Sequence, residues 1–163
     1  MKKGDDIMVL GLGNEVLGDE GLGLKIVEDL KYSFSFPNLN YVKATRGGLE
    51  IIDYIKDYNE VVIVDTIATS KGQPGDIYYF TPENYRETLH LSSSHDVNFQ
   101  TAIKTGEALG FNMPGKIDII AIEIIHDLEL GQQFSNNILE KYDEIMLEVM
   151  NFIRKKDVIC KIQ

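Results

Sequence analysis

Three side chains in this sequence could together hold a divalent transition metal: Glu20, Asp65 and His95. Two carboxylates and one imidazole are donors of the kind such ions accept. Glu20 stands in Gly18-Asp19-Glu20-Gly21, shortly after Gly11-Leu12-Gly13-Asn14, and the apolar run Ile7 to Leu10 leads into those glycines. Asp65 closes a second apolar run that starts at Glu60, and His95 follows the serines Ser92 to Ser94. A simpler role is open to the first acids: Asp19 as a helix N-cap and Glu20 as a first-turn acid, together worth about 0.5–2 kcal/mol. His-Glu-x-x-His is absent, and no convincing Ser-His-Asp or Cys-His arrangement is present. His90 and His126 read as solvated, and Cys160 as a bystander.

The glycines alone would suggest a dinucleotide, but the fingerprint Gly-x-Gly-x-x-Gly has Val16 in its third glycine position. Glu15, Asp19 and Glu20 would also repel a pyrophosphate at a helix start that ordinarily attracts one. This turn suits something positive.

The elements around these residues alternate. The pattern predicts strands over residues 6–11, 40–44, 60–65, 76–80 and 116–123, and helices over 20–33, 49–57, from near 95 or 96, and over 136–155. Ser92 to Ser94 could cap the third helix, which Phe99, Ala102, Ile103 and Leu109 would line. Ile138, Tyr142, Ile145, Val149 and Phe152 form a core stripe on the last. Continuous apolar strands separated by helices imply an α/β three-layer sandwich: a mostly parallel, five-stranded twisted sheet with helices on both faces. Ligands in such sheets sit beyond the carboxyl ends of the strands, where Glu20, Asp65 and His95 could meet.

Composition sets the outer bounds. A chain of 163 residues suits one domain, expected over 1–157 with a polar tail at 158–163. Such a domain buries roughly two-thirds of its unfolded surface. The formal charge of −10 argues against nucleic acid or an anionic membrane as partner. No signal segment and no apolar run of about eighteen residues is evident, and the single cysteine excludes an internal disulfide. The expectation is a soluble cytoplasmic protein.

Gly11-Leu-Gly-Asn14, Gly18-Asp-Glu-Gly-Leu-Gly23, Asp65 after its strand, and His95 resemble the hydrogenase maturation proteases in order and spacing. Ala121-Ile-Glu123, Gly131 and a long terminal helix fit the same family more loosely. The sequence departs from that family in two places. Lys43-Ala44-Thr45-Arg46-Gly47-Gly48 lacks the acid of the family's Asp-Gly-Gly or Asp-x-Gly-Thr, and no proline follows the fifth strand, where Ile125 or His126 stands.

The resemblance implies an endopeptidase, of the aspartic type, that removes the C-terminal extension of a nickel–iron hydrogenase large-subunit precursor after nickel insertion. The family's metal-contacting positions fall on Glu20, Asp65 and His95, which would act as both metal-contacting and catalytic residues. The nickel would be supplied by the substrate rather than held tightly by the enzyme. Two alternatives stand beside this: a non-catalytic nickel-sensing assembly chaperone, and a metal-dependent hydrolase of small molecules.

Overall fold

The computed structural model describes residues 6–45, 47–86, 99–125, 130–131 and 133–160. Its strands are β1 (Ile7–Leu12), β2 (Leu39–Ala44), β3 (Glu60–Ile67), β4 (Ile77–Phe80) and β5 (Lys116–Glu123). The helices are α1 (Leu22–Ser33), α2 (Ile51–Ile55), α3 (Phe99–Ala108) and α4 (Asn136–Cys160). The strands form one sheet in the order β2-β1-β3-β5-β4, parallel except for β4.

The central strands are apolar on both faces because both faces are covered. Ile7, Val9, Val62, Val64, Ile120 and Ile122 pack with residues of α1 and α4 in one core. Met8, Leu10, Leu12, Val61, Ile63 and Ile119 pack with residues of α2 and α3 in the other. Burying each such aliphatic side chain is worth about 1.5–3 kcal/mol. An Ile63→Ala change should cost about 2–5 kcal/mol, since the wholly buried side chain would leave a cavity.

Chain reversal decides where a ligand would go. From β1 the chain passes through α1 to β2 on one side, then returns through α2, on the opposite face, to β3 on the other side. Between β1 and β3 the order of connections therefore changes direction, which opens a crevice beyond their carboxyl ends. β4 is reached from β3 without a helix, and a chain that turns back directly must run antiparallel; it pairs with the outer side of β5.

Several expectations need amendment. The segment expected as the start of the first helix, from residue 20, is a 3-10 turn at Gly18–Gly21. The second helix is only five residues, preceded by another 3-10 turn at Gly48–Glu50. Leu109 lies past the end of α3 and is 65% exposed, so it lines no core. α4 continues to Cys160, beyond the expected end at 155. The proposed serine cap at 92–94 lies outside the described residues.

One buried cation sits at the amino ends of the strands. Lys156 of α4 donates to Glu60 of β3 at 2.5 Å and to Asp118 of β5. Burial disfavours its charge, but the hydrogen bonds to Asp118 and Glu60 outweigh that and hold its pKa above the ordinary lysine value.

Candidate active site

The rim is assembled from the β1–α1 connection first. Gly13 lies so close to the carbonyl of Glu20 that a Cβ would overlap it, and the Asn14 N–H donates to that carbonyl at 3.0 Å. The glycine therefore serves packing of the turn on the strand, a use that needs no nucleotide. Gly18 has φ +50°, a left-handed conformation that side-chain-bearing residues resist. This kink starts the 3-10 turn and carries Asp19 and Glu20 inward, leaving them only 9% and 3% exposed.

Asp19 is not a helix cap. Neither the 3-10 turn nor α1 has a side-chain capping bond. The Asp19 Oδ1 instead accepts the backbone N–H of Ser135 at 2.7 Å, just before α4. The same two loops are joined by Gly18 N–H to the Gly131 carbonyl at 2.5 Å and by Gly131 N–H to the Val16 carbonyl at 3.0 Å. The turn bearing Glu20 is thus tied to the segment that follows β5.

Asp65 stands near the carboxyl end of β3 and is 1% exposed. Alternation along the strand puts it on the face of Val61 and Ile63, toward α2 and α3. Its Oδ1 accepts the Thr66 N–H at 2.8 Å. A buried carboxylate is costly unless hydrogen-bonded, so an acid here is kept against the apolar pattern of its strand.

The crevice position agrees with this. Glu20 follows β1 and Asp65 lies at the end of β3, so the two acids flank the point where the connections change direction. Beside the turn, on the α1 side, a cleft of about 350 Å³ is lined by residues including Glu15, Gly18, Glu28, Lys43 and Phe134. Lys43 lies 3.2 Å from Glu28 and 3.8 Å from Glu15. A cation paired with these acids thus forms part of the cleft wall.

His95, the third residue of the predicted set, lies outside the described residues, as do His90 and His126. Among the described residues no group of three or more histidine, cysteine and acidic side chains is placed to hold a metal. Two carboxylates alone would hold a metal only weakly.

Sequence reasoning did not single out Glu123, a buried acid at the same rim. It ends β5 at 2% exposure, and its Oε1 accepts the Thr69 N–H at 2.5 Å. An acid at the end of an apolar strand, as at Asp65, was the available signal.

The fold is similar to that of an endopeptidase from Escherichia coli solved in solution, with a TM-score of 0.75 at 21% identity, covering 92% of this chain and 93% of that one. It is also similar to the hydrogenase maturating endopeptidase HybD from E. coli, with a TM-score of 0.71 at 23% identity over 92% and 93% of the two chains. These likenesses define the class by fold: an α/β domain shared with known endopeptidases.

In sequence, the chain is 36% identical over 72 residues to the Hydrogenase 2 maturation protease of E. coli strain K12, which is 42% of this chain and 43% of that relative. The match therefore spans less than half of that relative's length. The sequence model of the family described as "Hydrogenase maturation protease" matches residues 24–152, a stretch that contains Asp65 and His95 and begins just beyond Glu20. The chain belongs to the hydrogenase maturation protease family, a family of peptidases.

Proposed function

We propose that this chain is an endopeptidase that removes the C-terminal extension of a nickel–iron hydrogenase large-subunit precursor once nickel has been inserted. The observation that carries the reading is the pair of buried acids, Glu20 and Asp65, flanking the crevice between β1 and β3 in a member of this family.

In this reading nickel is part of the substrate, gripped by the precursor's thiolates. Glu20, Asp65 and His95 complete its shell and so orient the precursor, which places the scissile bond beside the rim. Asp65 is held by the Thr66 N–H and Glu20 by the turn that Gly18 starts, so both are fixed before the precursor arrives. Selectivity follows from the donor set. Two oxygens and an imidazole bind modestly alone but add to a metal already held by sulfur, so the protease responds to loaded precursor. Polarisation of the carbonyl or of water, with a carboxylate as base, would then cleave the bond.

The test is to incubate the purified chain with its precursor in nickel-loaded and nickel-free forms, with free metal chelated, and to read the product by mass. Cleavage of the loaded form alone is expected. Equal cleavage of both forms would remove the nickel checkpoint, and binding without cleavage would make the chain an assembly chaperone.

A further inference from the structure

The reaction above gives Glu123 no part, yet its surroundings are specific. Glu123 faces Ile67 in the β3–β5 register, two steps beyond the Asp65–Ala121 pair. Strand alternation puts Asp65 and Glu123 on the same sheet face, with their Cα atoms about 8 Å apart diagonally. The loop between β3 and β4 closes around this glutamate. Thr69 N–H donates to Oε1 at 2.5 Å, Gly75 N–H donates to the Glu123 carbonyl at 2.8 Å, and the Glu123 N–H donates to the Asp76 carbonyl at 2.8 Å. Gly72 lies over the carboxylate so closely that a Cβ there would overlap Oε2 and crowd the Tyr78 hydroxyl at 2.5 Å.

Oε2 itself is buried and, among the described residues, makes no hydrogen bond of good geometry, although the Tyr78 hydroxyl interacts with the carboxylate. The same carboxylate also raises the pKa of Tyr78, secondary to that tyrosine's own burial.

We infer that Glu123 is a positioning residue for the rim: it clamps the β3–β4 loop and through it fixes the end of β3 on which Asp65 sits. The inference rests on the reading of Asp65 as a group that meets the substrate. The chain leaving Asp65 is fastened in quick succession. Thr66 N–H goes to Asp65 itself, the Ile67 carbonyl accepts the Ile124 N–H at 2.8 Å, and Thr69 N–H goes to Glu123. Removing the last tie frees the loop, and the strand end beside Asp65 gains the motion. A glutamine would keep the tie, since its amide oxygen accepts the same N–H.

The experiment compares full-length wild type with Glu123→Ala, Glu123→Gln and Gly72→Ala. Amide hydrogen exchange is followed in the free protein, and kcat and KM are measured on nickel-loaded precursor. In Glu123→Ala, exchange at Thr66 and Thr69 should quicken by about tenfold while Val9 and Leu12 of β1 stay as in wild type. Its kcat should fall by roughly ten- to a hundredfold with little change in KM, as a small displacement of a reacting group does. Glu123→Gln should restore both, and Gly72→Ala, which pushes the loop outward, should repeat the alanine result. Unchanged Thr66 exchange in Glu123→Ala, or an acceleration shared by β1, would overturn the inference. If wild type cleaves no precursor, the protease reading fails, while exchange at Thr66 still decides whether Glu123 positions Asp65.

Discussion

Both ends of the parallel sheet hold carboxylates, buried or partly buried, and they treat them differently. At the amino ends, Glu60 and Asp118 are met by the ammonium of Lys156, with Lys116 3.5 Å from Glu60. At the carboxyl ends, Asp19, Asp65 and Glu123 each accept a backbone N–H. An ammonium cancels an acid's charge, whereas a backbone N–H orients an acid and leaves its charge in place. The first arrangement closes a structure; in the proposed reading the second orients Asp65 toward a cation brought by the substrate.

The largest expected effect breaks the closed end. Lys156→Met strands two partly buried acids and should cost about 3–5 kcal/mol in urea unfolding, while the folded protein cleaves precursor normally. A cost below about 1 kcal/mol would mean that the triad behaves as a surface pair. The pH dependence has a definite sign. The Lys156 pKa is raised, so its contribution is complete below the ordinary lysine value of 10.5 and is lost as pH rises through the folded value. The stability gap between wild type and Lys156→Met should therefore narrow above about pH 10.5 and not between pH 5 and 8.

The rim should show the opposite profile. Asp65→Asn keeps the acceptor for Thr66 N–H and Glu20→Gln keeps the size of its side chain, so both should fold. Removing the charge should lower precursor processing by about a hundredfold or more, roughly 2.7 kcal/mol of barrier. His95→Ala should follow them. Normal maturation by all three variants would dismiss this set of residues. Gly18→Val forces a β-branched residue into φ +50° and should cost about 1–3 kcal/mol, together with weaker precursor binding. Asp19→Asn sharpens the comparison with the smallest change. Its amide oxygen still accepts the Ser135 N–H, so stability should move by less than about 1 kcal/mol and processing by less than twofold. Loss of processing at Asp19 with none at Glu20 would exchange their roles.

Much of this was legible in the chain. Glu60 to Asp65 and Lys116 to Glu123 read as buried strands because parallel strands covered on both faces need apolar residues at every position. The Ile138–Phe152 stripe read as core because its spacing follows the helical turn. Asp65 stood out as a charge at the end of an apolar run, and Glu20 as an acid in a glycine turn at an expected helix start. What stayed hidden depends on contacts between distant residues. Nothing near Asp19 indicates that it bonds Ser135, nor anything near Lys156 that it reaches Glu60 and Asp118. Glu20 and Gly21, part of the 3-10 turn at Gly18–Gly21, read as helix because the acids there suit a helix start, while the left-handed Gly18 overrode that local preference.

The bond from Asp19 to Ser135 links residues 116 positions apart in the chain. During synthesis at about 5–20 residues per second, the second partner is made about 6–23 s after the first. Once Asp65 has been made, and until residue 135 follows, the growing polypeptide contains both acids of the crevice but lacks the segment that holds the turn of Glu20 in place. The same is true of a copy cut short before residue 135. In the proposed reading, the crevice takes its final shape only once the last third of the chain has been made.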